Sequence, residues 1–277
     1  MFFFPLFDDN PTTKFPLMTW IIIFLCIFVF IFQLSLNNSQ NNSFIYSYGL
    51  TPIFLKNYFS SPYFLNPINP LITLITSAFI HGGWFHIAGN MLYLWIFGDN
   101  VESSLGKVRF LFFYFLCAIF ACLCQFLVNP SSTIPMVGAS GAIAGVLASY
   151  LILHPQANVK VFVWIFIFIR LVNVPAWIVL GFWIFSQFIS IYGNFYDSGG
   201  GVAYFAHIGG FFAGLVLTPF FKRKSIKIFA PANSTSWKNE AMSAKEIKLA
   251  LKTSKNVSVP SFKKHKKTSV PKSSNKR

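Results

Sequence analysis

Long apolar stretches, separated by short polar ones, make up most of the chain. Several of them run for about 20 residues without an ionisable side chain, the length of a helix that crosses the hydrocarbon core of a bilayer. The pattern predicts six membrane-spanning helices, at about 15–36, 84–100, 108–128, 138–153, 174–193 and 202–221. The expected fold is therefore an all-α membrane protein built as a six-helix transmembrane bundle.

The stretch 159–172 is also apolar, but it is short and Arg170 lies near its end. It is predicted to be an interfacial or re-entrant segment. An additional span is the alternative, and it would place the chain ends on opposite sides of the membrane. Six spans leave Lys56 as the outer cation; the inner loops then hold Lys14, Lys107, Arg109, Lys160 and Arg170. This asymmetry follows the positive-inside rule and favours six spans with both termini in the cytoplasm.

The connection between the first two predicted spans, residues 37–83, is long for a helical bundle. It contains clustered Asn and Pro and the aromatic residues Phe54, Tyr58, Phe59, Tyr63 and Phe64. Aromatic rings with polar neighbours are favoured where the bilayer meets water. We expect a long outer loop that is partly sunk in the membrane interface.

Composition and charge agree with a membrane protein. The 277 residues include 36 Phe but only 22 Lys and Arg and seven Asp and Glu, too few charges for the surface of a soluble domain. Sixteen of the 22 basic residues follow Phe221, so a basic tail rather than a folded surface carries the net charge of +15. Such a tail suits anionic lipids on the cytoplasmic side better than nucleic acid.

The domain organisation follows from these features. Residues 1–14 are predicted to form a cytoplasmic segment, 15–221 the transmembrane domain, and 222–277 a disordered cytoplasmic tail. The first apolar run is too long for a signal peptide and lacks a small-residue cleavage site, so it is predicted to remain as a span. Cys26, Cys117, Cys122 and Cys124 all fall in apolar spans. Their spacing indicates neither a zinc site nor a disulfide framework, and no metal is expected.

Four of the polar residues inside the predicted spans stand out: His86, Asn90, Ser140 and His207. A polar group without a partner in a bilayer costs several kcal/mol, so each of them is a candidate for function. Singly, each has an ordinary interpretation, because a lone Ser bonds its own helix backbone and a lone His or Asn joins neighbouring helices.

The four residues are predicted to lie at one depth. In the six-span topology the second, fourth and sixth spans run inward, which puts His86, Asn90 and His207 roughly 3–9 Å below the outer helix ends. The fourth span measures roughly 24 Å, against a core of about 30 Å, so Ser140 at its start is also sunk below the surface. A common depth indicates a shared site.

Stripes of small residues predict that the helices carrying Ser140 and His207 pack closely. One stripe consists of Gly141, Ala144, Gly145 and Ala148, and the other of Ala206, Gly210, Ala213 and Gly214. Small residues let two helix backbones approach within reach of a hydrogen bond between side chains. Ordinary helix packing explains these stripes equally well, and the two interpretations are compatible.

The chemistry of the four residues suggests a serine nucleophile. A neutral imidazole is a suitable base near pH 7, so His207 would take the proton of Ser140. The backbone N–H of Ser140, at a helix start, and the side chains of His86 and Asn90 would donate to the oxyanion. A Ser–His dyad is favoured over a triad, because Asp99 and Glu102 lie at the inner end of their span. Asp197, ten residues before His207, is the weaker alternative for an orienting group.

These residues occur in phrases that resemble the rhomboid family of intramembrane serine proteases. Gly138-Ala139-Ser140-Gly141 is similar to the nucleophile motif of that family, and Ala206-His207-Ile208-Gly209-Gly210 is similar to its base motif. The segment 81–90 resembles the stretch that supplies the oxyanion His and Asn, and 98–102 fits a bacterial subgroup. His81 is either a supporting residue of this site or an anchor of the loop.

The resemblance implies a six-helix bundle with a water-filled cavity open to the outer side, in the inner (plasma) membrane of a bacterium. It also implies a serine endopeptidase that needs no cofactor and cuts single-span membrane proteins in or near their transmembrane segment. Some members carry an aromatic residue where this chain has Ala144. A ring that packs against His207 is therefore expected from Phe211 or from a neighbouring helix.

Two other functions are compatible with the sequence. A catalytically inactive rhomboid-like protein would bind or chaperone membrane proteins without cutting them, although such proteins usually lack the Ser or the His. A transporter or channel would use the four polar residues as a substrate site. The chain shows no obvious inverted repeat and no acidic residue deep within a span. The protease is the favoured interpretation.

Overall fold

The computed structural model describes residues 2–12, 14–60, 68–165, 167–193 and 202–229. This part of the chain is mostly helical and includes a three-stranded sheet. The helices are α1 (Leu17–Ser35), α2 (Asn38–Tyr48), α3 (Pro52–Ser60), α4 (Pro70–Thr76), α5 (Trp84–Leu105), α6 (Lys107–Val128), α7 (Ser140–Leu153), α8 (Ala176–Gly193) and α9 (Tyr204–Phe221), with a 3₁₀ turn at Ser77–Phe79. The strands are β1 (Phe2–Asp8), β2 (Asn158–Ile165) and β3 (Phe168–Pro175).

Helices occupy all six of the apolar stretches that were predicted as spans. Three of them, α1, α6 and α9, are long and apolar enough to cross a membrane. A fourth span is possible if the segment Pro70–Phe79 and α5, which meet at an angle of 83°, count as one. Helix α7 and the segment Ala176–Tyr192 of α8 are apolar but fall short of that length. The chain is thus a membrane protein whose described residues include three to four candidate spans, and the count of six stays a prediction.

Helix α7 forms the centre of the bundle. Every residue from Gly141 to Tyr150 is buried, and the helix packs against α5, α6 and α9. A helix that is apolar all round has no side suited to water, so the sequence of α7 favours this enclosed position. Helices α1 and α8, in contrast, keep broad apolar faces exposed, as surfaces that meet lipid require.

Glycines allow α7 and α9 to touch through their backbones. A methyl group built on Gly210 would overlap the carbonyl oxygen of Gly141, and one on Gly214 would overlap the backbone of Gly145. Gly145 is equally close to the side chain of Cys117 on α6. The small-residue stripes that the sequence predicted therefore face each other, and they hold the starts of α7 and α9 together.

The sheet corrects the expectation of an all-α fold. The segment 159–172, expected as an interfacial or re-entrant piece of an all-α fold, forms most of the antiparallel hairpin β2–β3. The first residues of the chain pair with β2 as the edge strand β1, so the sheet order is β1-β2-β3. The alternation of Val159, Val161 and Val163 with Lys160 and Phe162 is the period of a strand, and β-branched residues favour it.

The described residues of the long connection between α1 and α5 include three α-helices, α2, α3 and α4. Asn37 caps α2 in a capping box with Gln40, which satisfies backbone N–H groups at the start of that helix. Of the aromatic residues expected at the interface, Phe54, Tyr58 and Phe59 lie on α3; Tyr63 and Phe64 lie outside the described residues.

The segment 98–102, in the last turns of α5, packs against the start of α1 and forms hydrogen bonds with it. Glu102 is 2% exposed and accepts hydrogen bonds from the backbone N–H of Met18 (3.1 Å) and Thr19 (2.8 Å) and from the Thr19 hydroxyl (2.9 Å). No side chain of α1 itself caps that helix, so the carboxylate of α5 fills this role. Gly98 leaves the room for Thr19 to approach, since a methyl group there would lie 2.9 Å from the Thr19 Cγ2 atom.

The N-terminal strand is tied to α5 and α7 by the partly buried carboxylate of Asp8. Asp8 accepts a short hydrogen bond from the Tyr150 hydroxyl and a second one, of 2.9 Å, from the side-chain amide of Asn100. Burial, reinforced by the nearby carboxylates of Asp99 and Asp9, raises the pKa of Asp8 from its ordinary value of 3.8 to about 7. The native state therefore binds this proton more tightly than the unfolded chain does.

This pKa makes a testable contribution to stability. Between about pH 4 and pH 7 the native state holds the Asp8 proton that the unfolded chain has lost, so stability falls as pH rises, by at most about 1.4 kcal/mol per pH unit. Above pH 7 this slope vanishes. The variant Asp8→Asn is expected to lose the slope, and its melting temperature in detergent should drop less between pH 5 and pH 7.5. If the melting temperatures of wild type and Asp8→Asn drop equally between pH 5 and pH 7.5, Asp8 does not have this role.

After α9 the chain turns back along the ends of α5 and α7. The backbone N–H of Arg223 donates to the carbonyl of Ser104 (3.0 Å), and that of Phe229 donates to the carbonyl of Ile152 (2.7 Å). The domain boundary expected at residue 222 stays a prediction. Residues 230–277, the remainder of the predicted tail, lie outside the described part of the chain.

Candidate functional site

The first turns of α7 and α9 bring Ser140 and His207 together. Ser140 is the first residue of α7, and its Oγ lies 2.7 Å from Nε2 of His207, although 67 positions separate the two in the chain. The contact between Gly141 and Gly210, directly beside this pair, sets the short distance between the helices. Ser140 remains partly exposed, whereas His207 is buried with 8% of its surface exposed.

The other ring nitrogen of His207 contacts a residue that the sequence analysis did not identify. Nδ1 lies 2.7 Å from Oε1 of Gln187, on α8. Gln187 carried the same signal as the four residues that were found, a polar side chain inside an apolar helix. Asp197, considered as an orienting group, lies outside the described residues. Glu102 is engaged at the start of α1 instead.

An aromatic ring of α8, that of Trp183, packs against His207. The Trp183 ring centre lies 5.7 Å from that of His207. The Phe211 ring, on α9, stacks on Trp183 with 6.5 Å between the ring centres. Ala144, at the position where some rhomboid proteins carry an aromatic residue, is fully buried beside Phe211. The neighbouring helix α8 therefore supplies the ring that limits how His207 can tilt.

His86 and Asn90 lie one turn apart on α5 and point at Gly138, two residues before Ser140. Gly138 has a φ of +118°, a conformation that favours glycine, and its backbone leaves no space for a side chain. A Cβ atom there would lie 2.5 Å from His86 Nε2 and 3.5 Å from Asn90 Nδ2. Both nitrogens thus converge on the segment that leads into the start of α7.

The hydrogen bonds of these two side chains leave donors free. The Gly82 N–H donates to Nδ1 of His86 (3.3 Å), so a neutral His86 carries its hydrogen on Nε2, the nitrogen that faces Gly138. Among the described residues, the buried Nδ2 of Asn90 has no acceptor. An unpaired buried donor costs about 1–3 kcal/mol, so this position favours a ligand that brings an acceptor.

His81 anchors the turn that leads into α5. Its backbone N–H donates to Oε1 of Gln33 on α1 (3.1 Å), and its carbonyl accepts from Nε2 of the same side chain (3.2 Å). The His81 ring lies edge-on to that of His86, with 5.2 Å between their centres. His81 therefore anchors the loop through its backbone, and its ring contacts His86; a supporting role in the site stays a prediction.

A cavity of about 30 Å³ opens beside Ser140. Small side chains dominate its lining, among them Ala118, Ala121, Ala203 and Ala206, and Met136 and Cys122 border it. This volume has room for about two water molecules, or for a side chain of similar size. Within the described residues, no group of three or more His, Cys, Asp or Glu is arranged to hold a metal ion.

Comparison with known proteins identifies the family. Residues 69–224, more than half of the chain, match the model of the rhomboid domain. The chain is 38% identical over 96 residues to rhomboid protein 1, mitochondrial, of Saccharomyces cerevisiae, covering 33% of this chain and 28% of the yeast protein. It is 40% identical over 78 residues to the rhomboid protease GluP of Bacillus subtilis, which is 28% of this chain and 15% of GluP.

A third relative, the putative rhomboid protease YdcA of Bacillus subtilis, is 36% identical over 78 residues, 28% of this chain and 39% of YdcA. The chain therefore matches less than half the length of each of these relatives. The matched domain contains His86, Asn90, Ser140, Gln187 and His207. On the strength of the domain match, this membrane protein belongs to the rhomboid family.

Proposed function

We propose that this protein is an intramembrane serine endopeptidase that cleaves single-span membrane proteins within or near their transmembrane segment. The observation that carries the proposal is the hydrogen bond of 2.7 Å between Ser140 Oγ and His207 Nε2, next to two N–H donors that face Gly138. Nucleophile, base and oxyanion donors are the parts that peptide-bond hydrolysis through an acyl-enzyme needs.

In the proposed reaction, Ser140 Oγ attacks the carbonyl carbon of the substrate while His207 Nε2 takes its proton. The carbonyl π electrons move onto oxygen, which accepts hydrogen bonds from the Ser140 N–H, His86 Nε2 and Asn90 Nδ2. The C–N bond then breaks, and His207 returns the proton to the leaving amine. A water molecule, deprotonated by His207, then attacks the acyl carbon; the bond from that carbon to Ser140 Oγ breaks, the acyl group leaves as a carboxylic acid, and His207 returns the proton to Oγ.

The cavity beside Ser140 bears on the choice of substrate. Its alanine-rich lining and its volume of about 30 Å³ suit a small side chain next to the cleaved bond, such as that of alanine, better than an aromatic one. The helical substrate segment must unwind locally, because a peptide carbonyl within a helix is shielded by its own hydrogen bonds.

The topology is part of the proposal. Six spans with both termini in the cytoplasm would place Ser140, His86 and His207 near the outer side of a bacterial inner membrane, in a cavity that admits water. The transmembrane protease domain would then comprise 15–221. The basic tail, 222–277, would attach to anionic lipids at the cytoplasmic surface.

The oxyanion role of Asn90 predicts a large kinetic effect. Replacing Asn90 by alanine removes one donor, which typically lowers kcat about 10²- to 10³-fold while KM changes little. Initial cleavage rates over a range of reporter concentrations measure both constants. Asn42, an exposed residue of α2, offers the matched control Asn42→Ala, for which wild-type kinetics are expected. A raised KM with an unchanged kcat would assign Asn90 to substrate binding instead.

The proposed function is tested by reconstituting the purified protein in liposomes with a single-span reporter labelled at both ends. We expect two fragments that together account for the reporter, formed by wild type and absent with Ser140→Ala. Mass spectrometry of the fragments locates the cut. If wild type binds the reporter and leaves it whole under all conditions that support folding, the protein is an inactive rhomboid-like binding protein and the proposal is wrong.

A further inference from the structure

Gln187 is a buried polar side chain on the apolar helix α8, where nothing in the dyad mechanism requires it. Only 8% of its surface is exposed, and its neighbours along the helix include Ile184, Phe188 and Ile189. A buried amide is costly unless both of its ends are hydrogen-bonded. The partners of Gln187 therefore indicate what the residue does.

The nitrogen end of the Gln187 amide is fully engaged on α8 itself. Nε2 donates to the carbonyl oxygen of Trp183 (3.2 Å) and to Oγ of Ser186 (3.0 Å). Ser186 uses its own hydrogen on the Trp183 carbonyl (2.6 Å), so its oxygen is available as an acceptor. These contacts need the amide nitrogen on the helix side, and they leave Oε1 facing His207.

This orientation determines where the hydrogen of a neutral His207 lies. Oε1 can only accept, so the Nδ1 atom 2.7 Å away must donate. Nε2 then carries a lone pair, and it faces the Ser140 hydroxyl at 2.7 Å. The other tautomer would place a hydrogen on Nε2 and a repulsive pair of acceptors between His207 and Gln187, and its Nε2 could not take a proton from Ser140.

We propose that Gln187 is a positioning residue that holds His207 in the base-competent tautomer and ring orientation, as the third member of a Ser140–His207–Gln187 chain. This inference rests on the proposed function. Gln187 acts through His207 and does not touch the reacting atoms. As a neutral amide it orients the imidazole without placing a carboxylate in the apolar interior, where an ion is costly.

The surroundings of His207 support this assignment among the described residues. Ser140 comes from α7, and Trp183 and Gln187 come from α8. The titratable groups nearby are His86 and the phenol of Tyr204, whose ring stands edge-on to His207 at 6.4 Å. Of the side chains around His207, Gln187 is the one hydrogen-bonded to Nδ1.

The test compares Gln187→Met, which keeps the size of the side chain and removes the acceptor, with Gln187→Glu, which keeps an acceptor. We expect kcat of Gln187→Met to fall about 10- to 100-fold at an unchanged KM, the loss of a hydrogen bond that strengthens as His207 becomes charged. Gln187→Glu should recover most of this loss, because its carboxyl group, kept neutral in the apolar interior, accepts from Nδ1 with one oxygen and donates with the other where Gln187 Nε2 donates. The matched control is Gln125→Met, on the apolar helix α6, with wild-type kinetics expected.

A second readout follows the tautomer without turnover. In protein labelled with ¹⁵N-histidine, the NMR shifts of His207 should report hydrogen on Nδ1 in wild type and in Gln187→Glu, and a shift toward Nε2–H in Gln187→Met. Assignment uses the signal that disappears in His207→Ala. Thermal melting in detergent verifies that each variant is folded.

The outcomes separate this inference from the proposed function. If Gln187→Met keeps the wild-type tautomer, Gln187 is a packing residue and the inference is wrong, whatever the activity. If the tautomer changes while kcat stays within about twofold of the wild-type value, the tautomer that Gln187 selects does not affect the rate of cleavage. The inference is then also wrong. A wild type that cuts no reporter but shows the predicted tautomer dependence would contradict the proposed function and leave the positioning of His207 by Gln187 supported.

Discussion

Ser140→Ala, His207→Ala and the double variant are each expected to lose reporter cleavage by about 10⁶-fold in kcat, with no further loss in the double variant. The two side chains act as one unit, because a hydroxyl without its base is a poor nucleophile and a base without the hydroxyl has no proton to take. Their hydrogen bond of 2.7 Å is the physical basis of this non-additivity. Single-turnover cleavage in liposomes, with excess enzyme, measures such slow rates.

Two control variants match these substitutions. Ser43 lies exposed on α2, and His154 follows α7 at its opposite end, where it contacts Ser104 (3.1 Å). Ser43→Ala and His154→Ala should both cleave the reporter at wild-type rates. Additive losses in the double variant, or substantial cleavage by His207→Ala at neutral pH, would show that the two side chains do not form a catalytic unit.

Gly210→Ala is expected to lower kcat by about 10²-fold or more, although alanine is inert and Gly210 touches no reacting group. The added methyl group overlaps the carbonyl oxygen of Gly141, so α9 must move away from α7 and take His207 with it. A displacement of about 1 Å is enough to spoil proton transfer. The same overpacking should reduce stability by about 1–3 kcal/mol.

Gly181→Ala is the control for this substitution. Gly181 lies on α8, and a methyl group there meets no atom within 4 Å, so unchanged kcat and an equal or higher melting temperature are expected. Cleavage rates and thermal melts of both variants, in the same detergent, distinguish the cases. If Gly210→Ala cleaves like wild type, the contact between the two backbones does not set the geometry of Ser140 and His207.

The sequence predicted the helices well because their signal is local. A long apolar run indicates a buried or membrane-embedded helix whatever surrounds it, and all six such runs are helical. The number of spans is less directly encoded. Helix α7 has 14 residues because it is enclosed by other helices and has no need to match the bilayer from edge to edge.

The sheet was missed because its pairing is not local. Strand β1 joins β2 across more than 150 positions, with Phe4 opposite Phe162. Both faces of β2 carry mostly apolar residues, so the alternation typical of a strand was weak. The sequence around it resembled a membrane segment instead. The alternation of Val159, Val161 and Val163 was the available signal, and short apolar runs remain ambiguous between helix and strand when read alone.

The residues of the candidate site were likewise predicted only in part from the sequence. Ser140, His207, His86 and Asn90 were found because a polar group within an apolar span is conspicuous, and small residues beside two of them predicted closeness. Gln187 carries the first signal and lacks the second, because no glycine stripe on α8 points to α9. The hydrogen bond from Tyr150 to Asp8 had no signal at all, since it depends on the unpredicted strand β1.

The central claim is that Ser140 is the nucleophile and that His207 activates it. Its most direct test is to treat the protein in liposomes with a fluorophosphonate and to map the adduct by mass spectrometry. We expect one adduct, on the peptide that contains Ser140, with labelling at least about 10²-fold slower in His207→Ala. An adduct on another residue, or equally fast labelling of Ser140 without His207, would contradict the account.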